Sequence, residues 1–245
     1  MMFSIFKKKP RLFELMPSGF VDIHSHVLPG LDDGCKNMTQ SIELIQGMET
    51  LGFSELIATP HTMTGVWENS SEGIKESWNS LNDTQKLTIP LNYASEYLID
   101  NNFLDRMQKG DLLCLKDQRV LVELSYFQAP INLFEILFEL QLKGYIPVLA
   151  HPERYNYYFS DFKIFEKLKK AGCLFQLNLM SVVGHYGPET MKMSDRLLGA
   201  NLIDYVGSDI HHKGHLEAFQ RKVQVKNVKA LKKAIAANAF FSKKA

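Results

Sequence analysis

The stretch "VDIHSHVLPGLDDG", Val21 to Gly34, ends an apolar run with His24 and His26, turns at Pro29-Gly30, and returns two aspartates, Asp32 and Asp33. Alternate residues of a β-strand point to the same side. If this run is a strand, its two imidazoles stand side by side at its carboxyl end. The stretch is then either a decorated turn or the first piece of a metal site. The rest of the chain discriminates between them.

The pattern that follows repeats the same grammar. Apolar runs at residues 20–26, 55–61, 89–99, 119–125, 146–154, 174–181 and 202–212 read as seven strands. Between them lie helical patterns at about 37–52, 67–86, 103–109, 132–144, 162–172 and 188–199, and a last one closes the chain at 227–241. Asn37 or Thr39 is a candidate N-cap, and Gly52 a stop. Short strands alternating with helices predict βα units and a mainly parallel sheet. Continuous apolar runs fit strands buried on both faces. No linker or low-complexity segment divides the chain, so a single α/β domain built as a barrel is expected.

The ends of those runs carry the chemistry. They present His24 and His26, then His61, Glu96, Glu123, His151, and finally Asp209 with His211. In parallel α/β barrels the carboxyl edge of the strands holds the active site. A lone strand-end histidine is more often a satisfied polar residue, and an aspartate beside Gly34 can simply shape a turn. The bland readings would have to hold independently at six strand ends. With Asp33 there are nine candidate ligands, too many for one tetrahedral ion, so two or three metal ions are expected. Imidazole and carboxylate donors suit manganese, iron or zinc.

Composition narrows the alternatives. The 245 residues are 45% hydrophobic and 22% charged, with a formal net charge of +1, which gives no global field for nucleic acid. Cys35, Cys114 and Cys173 form no CxxC pair, which suits a reducing cytoplasm. No apolar run approaches the ~20 residues that span a bilayer. The first 20 residues read as a leader, loosely ordered or acting as a docking arm. Phe3, Ile5, Phe6 and the lysines after them allow at most a peripheral membrane contact.

At these residues the chain resembles a known family. "DIHSHVLPGLDDG", "ATPH", "SEY", "VELS", "HPERY" and "GSDIHH" are similar to the PHP (polymerase and histidinol phosphatase) superfamily. They most resemble its bacterial metal-dependent protein-tyrosine phosphatases of capsule and exopolysaccharide clusters, the CpsB/YwqE type. The resemblance implies a distorted seven-stranded (βα) TIM-like barrel over residues 21–245, carrying a trinuclear site. It places His24, His26, Glu96 and Asp209 on one ion, and Glu96, Glu123 and His151 on a second. Asp33, His61 and His211 take the third. It implies manganese or iron ahead of zinc, and Arg154 of "HPER" as the phosphate-binding arginine. Members often carry a second arginine soon after "SDxH". Here "SDIHHKGHLEAFQR" delays it to Arg221, which leaves Lys213, His212 or His215 as substitutes.

The activity so implied is hydrolysis of phosphotyrosine by a metal-activated hydroxide, with Arg154, His61 and Asp209 as the catalytic side chains and Lys213 and His215 beside Arg154 at the substrate. Its partner would be a phosphotyrosine protein, such as the tail of a bacterial tyrosine kinase. A cysteine-based phosphatase needs Cys, five residues, then Arg; Cys114 to Arg119 is one residue short. The rival readings are a small-molecule phosphomonoesterase such as a histidinol phosphatase, and a non-catalytic metal-binding regulatory barrel.

Overall fold

The computed structural model describes residues 9–243. Nine short strands form: β1 Phe20–Ser25, β2 Phe53–Ala58, β3 His61–Thr62, β4 Leu91–Tyr93, β5 Glu96–Leu98, β6 Arg119–Glu123, β7 Ile146–Ala150, β8 Leu174–Asn178 and β9 Tyr205–Gly207. Every pairing between them is parallel. They order as β1-β2-β4 and as β3-β5-β6-β7-β8-β9. The chain is thus an α/β fold around a curled parallel sheet.

Nine strands stand where the sequence pattern predicts seven, because two runs break. The second breaks at Thr59-Pro60, where proline has no N–H for the ladder. The third breaks at Ala94-Ser95, so Glu96 opens β5 rather than ending a strand. Backbone bonds bridge both breaks: the Ala94 N–H donates to Ala58 O, and the Glu96 N–H to Pro60 O. At the other edge, the Asp209 N–H donates to His24 O (2.8 Å) and the His26 N–H to Ile210 O (2.9 Å). The first strand, β1, is thereby laid against the segment that follows β9.

The strands are apolar on both faces, as the continuous runs require. Along β6, Val120 and Val122 pack into one cluster with Leu137, Leu140, Phe165 and Leu168. The intervening Leu121 turns the other way, to Val21, Ile23, Ile57 and Val148. The helices are α1 Met38–Thr50, α2 Ser71–Asn82, α3 Asn101–Lys109, α4 Leu133–Leu142, α5 Lys163–Lys170, α6 Pro188–Gly199, α7 Lys213–Phe219 and α8 Val228–Ala237. Asn37 caps α1 by accepting from the Gln40 N–H (3.0 Å).

Three expectations change. The helix expected at 67–86 shrinks to α2, capped by Ser70; Trp67 stays outside it and pairs with Met63. The expected strand through residue 181 stops at Asn178, whose side chain accepts from the Met180 N–H and starts a 3-10 turn. The leader is packed over residues 9–19: Leu12 is fully buried, its N–H donates to Arg221 O, and the Val223 N–H donates to Pro10 O. Phe3, Ile5, Phe6, Lys7 and Lys8 lie outside the described residues.

Asn238, fully buried just after α8, ties β1 to β9. Its Oδ1 accepts from the Val206 N–H (3.1 Å), and its Nδ2 donates to Val21 O (2.9 Å) and Val206 O (2.8 Å). Asn238→Ala strands three buried backbone groups, and urea unfolding should show a loss of about 2–4 kcal/mol. A loss below about 0.5 kcal/mol would deny Asn238 this role.

Candidate metal centre

The strand breaks and strand ends bring the polar residues into one buried cluster. His24, His26, Glu96, Glu123, His151 and Asp209 are all nearly inaccessible to solvent. Glu96 is the hub. Its Oε2 lies 3.1 Å from His24 Nε2 and 3.1 Å from His61 Nδ1, while its Oε1 lies 3.0 Å from His151 Nε2. Asp209 Oδ1 lies 3.4 Å from His24 Nε2 and 3.3 Å from His26 Nε2. Asp33 Oδ1 stands 3.3 Å from His211 Nε2 and 3.7 Å from His61 Nε2.

Three groups of donor atoms are close enough to share an ion: His24, His26, Glu96 and Asp209; His26, Asp33, His61 and His211; and His61, Glu96 and Glu123. The first coincides with the expected first ion. The others differ from expectation in detail, since His26 joins the Asp33 group and His61 joins Glu96 and Glu123. His151 reaches the cluster through Glu96.

Side chains behind the cluster fix the ring orientations. Gln176 Oε1 lies 2.7 Å from His24 Nδ1, and Asp32 Oδ2 lies 2.7 Å from His26 Nδ1. His211 Nδ1 donates to the Asp209 backbone carbonyl (2.9 Å). In each case the other ring nitrogen is left to the cluster, the arrangement that orients metal-binding histidines. Asp32 also accepts from the N–H groups of His61 (3.0 Å) and Gly34 (2.8 Å). Gly34 is required here, because a Cβ would fall 2.1 Å from His26 O. His151 (φ +35°) and Asp209 (φ +51°) hold left-handed backbone, a strained conformation that clusters at functional sites.

The residues fit a cation. His24 Nε2 and His26 Nε2 sit 3.2 Å apart, and two bare lone pairs at that distance need a positive charge between them. His61 Nδ1 and Glu123 Oε1 face each other at 3.0 Å, yet both are buried without a hydrogen bond. Burial disfavours the His24 imidazolium, but the carboxylates of Glu96 and Asp209 outweigh it and raise it from 6.5 to about 9. Burial also resists ionising Glu96 and Asp209, yet the surrounding histidines hold both well below the usual carboxylate range. The cluster therefore demands positive charge, and its N/O donors are those that transition ions take.

Arg154 borders this centre. Its Nη1 donates to Asp209 Oδ2 (2.8 Å), which also accepts from Asn178 Nδ2 (2.8 Å). Its guanidinium lies 5.0 Å from the Tyr126 ring centre and 4.3 Å from that of Tyr186. Asp33, His61, Trp67, Tyr126, Arg154 and His211 line an open cavity of about 330 Å³. Trp67 stacks on His61 with ring centres 4.8 Å apart.

Lys213 and His215 do not line that mouth. The Lys213 ammonium pairs with Glu43 (2.6 Å) on the surface. His215 lies behind His211, its Nδ1 accepting the His211 N–H (3.2 Å). Burial and the neighbouring His212 push His215 down to about 3. Pattern reading gave no site role to Trp67, which it placed at the head of a helix, or to Tyr126 and Tyr186, which sit on loops with no periodic signal. It saw in Asp32 only a turn former.

Curled parallel α/β architecture with a buried histidine and carboxylate cluster at one sheet edge, opening on an arginine, defines a class: proteins whose strand ends could hold several metal ions. Residues 20–240 match the family described as capsular polysaccharide synthesis, CpsB/CapC, and the chain belongs to that family. It is 35% identical over 196 residues to the tyrosine-protein phosphatase YwqE of Bacillus subtilis, covering 78% of this chain and 77% of that one. It is 29% identical over 195 residues to the putative tyrosine-protein phosphatase CapC of Staphylococcus aureus, covering 78% and 76%. A crystal structure from the pair YwqE of B. subtilis and CpsB of Streptococcus pneumoniae, described as unique metal-dependent tyrosine phosphatases, superposes with a TM-score of 0.75 at 31% identity. That match covers 91% of this chain and 88% of the other. The lactonase Lmo2620 of Listeria monocytogenes shares the fold alone, with a TM-score of 0.53 at 10% identity over 95% and 98% of the chains.

Asp32 stands behind the cluster, holding His26 Nδ1 and the His61 backbone N–H. Asp32→Ala should weaken metal affinity by roughly 10–100-fold, measured by titrating the metal-free protein with manganese. Unchanged affinity would show that His26 needs no such partner.

Proposed function

We propose that this chain is a metal-dependent protein-tyrosine phosphatase acting in capsule or exopolysaccharide synthesis. The observation that carries the reading is Arg154, held at an open mouth directly beside a buried multi-histidine, multi-carboxylate centre. The relatives named as tyrosine phosphatases support it. Its substrate would be a phosphotyrosine protein, such as a bacterial tyrosine kinase tail, met in the cytoplasm. The fold is read as a single barrel of seven strand runs over residues 21–245, after a leader of residues 1–20.

His24, His26, Asp33, His61, Glu96, Glu123, His151, Asp209 and His211 would hold two or three ions, manganese or iron ahead of zinc. When bound, such ions supply Lewis acidity at phosphorus and lower the pKa of water. The remaining work falls to the chain. Arg154 presents a planar fork that matches two phosphate oxygens. Asp209 steers it through Oδ2 while Oδ1 faces His24 and His26, so one carboxylate aligns the substrate's anchor with the centre. Tyr126 and Tyr186 flank the guanidinium and limit its swing. His61, clamped between Glu96, Glu123 and Trp67, sits at the mouth where a leaving oxygen would emerge. His215 supports His211 from behind, and Lys213 would reach substrate only by leaving Glu43.

Arg154→Ala should retain metal yet lose about 10²-fold in kcat/KM for an aryl phosphate, the scale of one charge-stabilising donor. Steady-state kinetics with metal analysis checks this, and normal kinetics would remove Arg154 from the site. His24→Ala and Asp209→Ala should lose metal and turnover together. A chelator should abolish hydrolysis, and added manganese should restore it; activity that survives full metal removal would end the metal-dependent reading. A phosphotyrosine peptide should be cleaved faster than histidinol phosphate, and the reverse order would favour a small-molecule phosphatase.

A further inference from the structure

The loop from β6 to α4 and the outer face of α4 carry large apolar side chains that no described part of the fold covers. Phe127 is 93% exposed, Ile131 103%, Phe138 62% and Leu142 71%, with Phe134 beside them at 41%. Steps of four residues set Phe134, Phe138 and Leu142 along one helical face. The opposite face of α4, Leu133, Ile136, Leu137 and Leu140, already fills the core. The outer stripe is therefore surplus to folding, and a contiguous exposed apolar patch marks an interaction site.

The stripe begins at the mouth. Tyr126 lines the cavity and stacks over His151, and Phe127 is the next residue out. Across the cavity, Trp67 is preceded by Val66, 58% exposed. The phosphate site thus opens between apolar lips. A small phosphate ester would end inside the cavity. A phosphotyrosine in a protein chain cannot, because its neighbours must cross the rim.

We propose that the stripe from Phe127 along α4 is a docking surface for the protein substrate, binding apolar side chains that flank the phosphotyrosine. The proposal rests on the phosphatase reading of the mouth and deepens it. Continuity with the mouth selects this occupant. A second copy seated on Phe127 and Ile131 would cover the opening that the substrate needs. An anionic membrane would find no Lys or Arg in residues 124–134, and would meet Glu135 and Glu139 beside the stripe.

The test compares three substrates with the manganese-loaded protein: a phosphotyrosyl peptide with leucine and isoleucine flanks, the same peptide with glycine and serine flanks, and p-nitrophenyl phosphate. The wild type should favour the apolar peptide by about tenfold in kcat/KM, as burial of one or two side chains allows. The double variant Phe127→Ser, Ile131→Ser alters only solvent-exposed side chains. It should lose that preference while hydrolysing p-nitrophenyl phosphate at the wild-type rate. Equal use of both peptides by the wild type, or a preference that survives in the double variant, would overturn the docking surface. So would light scattering that shows a wild-type dimer made monomeric by the two substitutions, or anionic vesicle binding lost with them. If the wild type turned over no aryl phosphate at all, the phosphatase reading would fall, and the docking surface with it.

Discussion

A carboxylate buried without solvent is the constraint on which this molecule turns. Glu96 is wholly inaccessible, and ionising it there is costly unless positive charge surrounds it. The fold answers by converging His24, His61 and His151 on its two oxygens. Those histidines come from three separate strand runs, so the charge of one residue constrains the registration of the sheet. Behind His24 and its neighbour His26 stand Gln176 and Asp32, whose contacts leave the other nitrogen of each of these two rings for the centre. Removing any layer leaves the next with unmatched polar atoms, which is why the centre reads as one unit rather than as separate ligands.

The same constraint accounts for the broken strands. An uninterrupted third run would pair regularly past Ala94 and Ser95. The break instead turns the chain so that Glu96 pairs in register with His61 of the equally broken second run. Ser95 secures the turn by donating to Pro60 O (2.9 Å), and its hydroxyl lies 2.7 Å from that of Thr62. Left-handed backbone at His151 and Asp209 does comparable work at the other strand ends. At these four places irregular backbone serves to assemble the polar centre.

Much of this was legible in the order of residues. Strand runs showed as apolar stretches, because both faces of the sheet are buried, and most helices as amphipathic stretches, because one side of each packs into the core. The positions that converge on the centre were visible because His, Asp and Glu are costly at the ends of buried strands and need a reason to be there. The strand breaks were less legible, since "ATPH" and "NYASEY" keep their apolar character through the bend. Trp67 was absorbed into a helical pattern, and α7 went unseen among the histidines that precede it. The tyrosines around Arg154 gave no signal either, because their role depends on loops meeting in space. Lys213 looked available as a phosphate contact only while Glu43, 170 positions earlier, was out of view.

The junction between the first strand and the end of the last has a consequence for how the protein comes into being. His24 and Asp209 are joined through the backbone and share the same ligand group, yet 185 residues separate them. At ordinary rates of synthesis, the ribosome needs roughly 10–40 s to make that interval. Throughout it, His24 and His26 are present without Asp209, even once Glu96 has been made. A nascent chain can therefore offer a passing ion only fragments of the site, held weakly. The complete ligand set exists only once Asp209 and His211 have been made and folded against β1, so the choice of metal belongs to the assembled site and to the ions around it then.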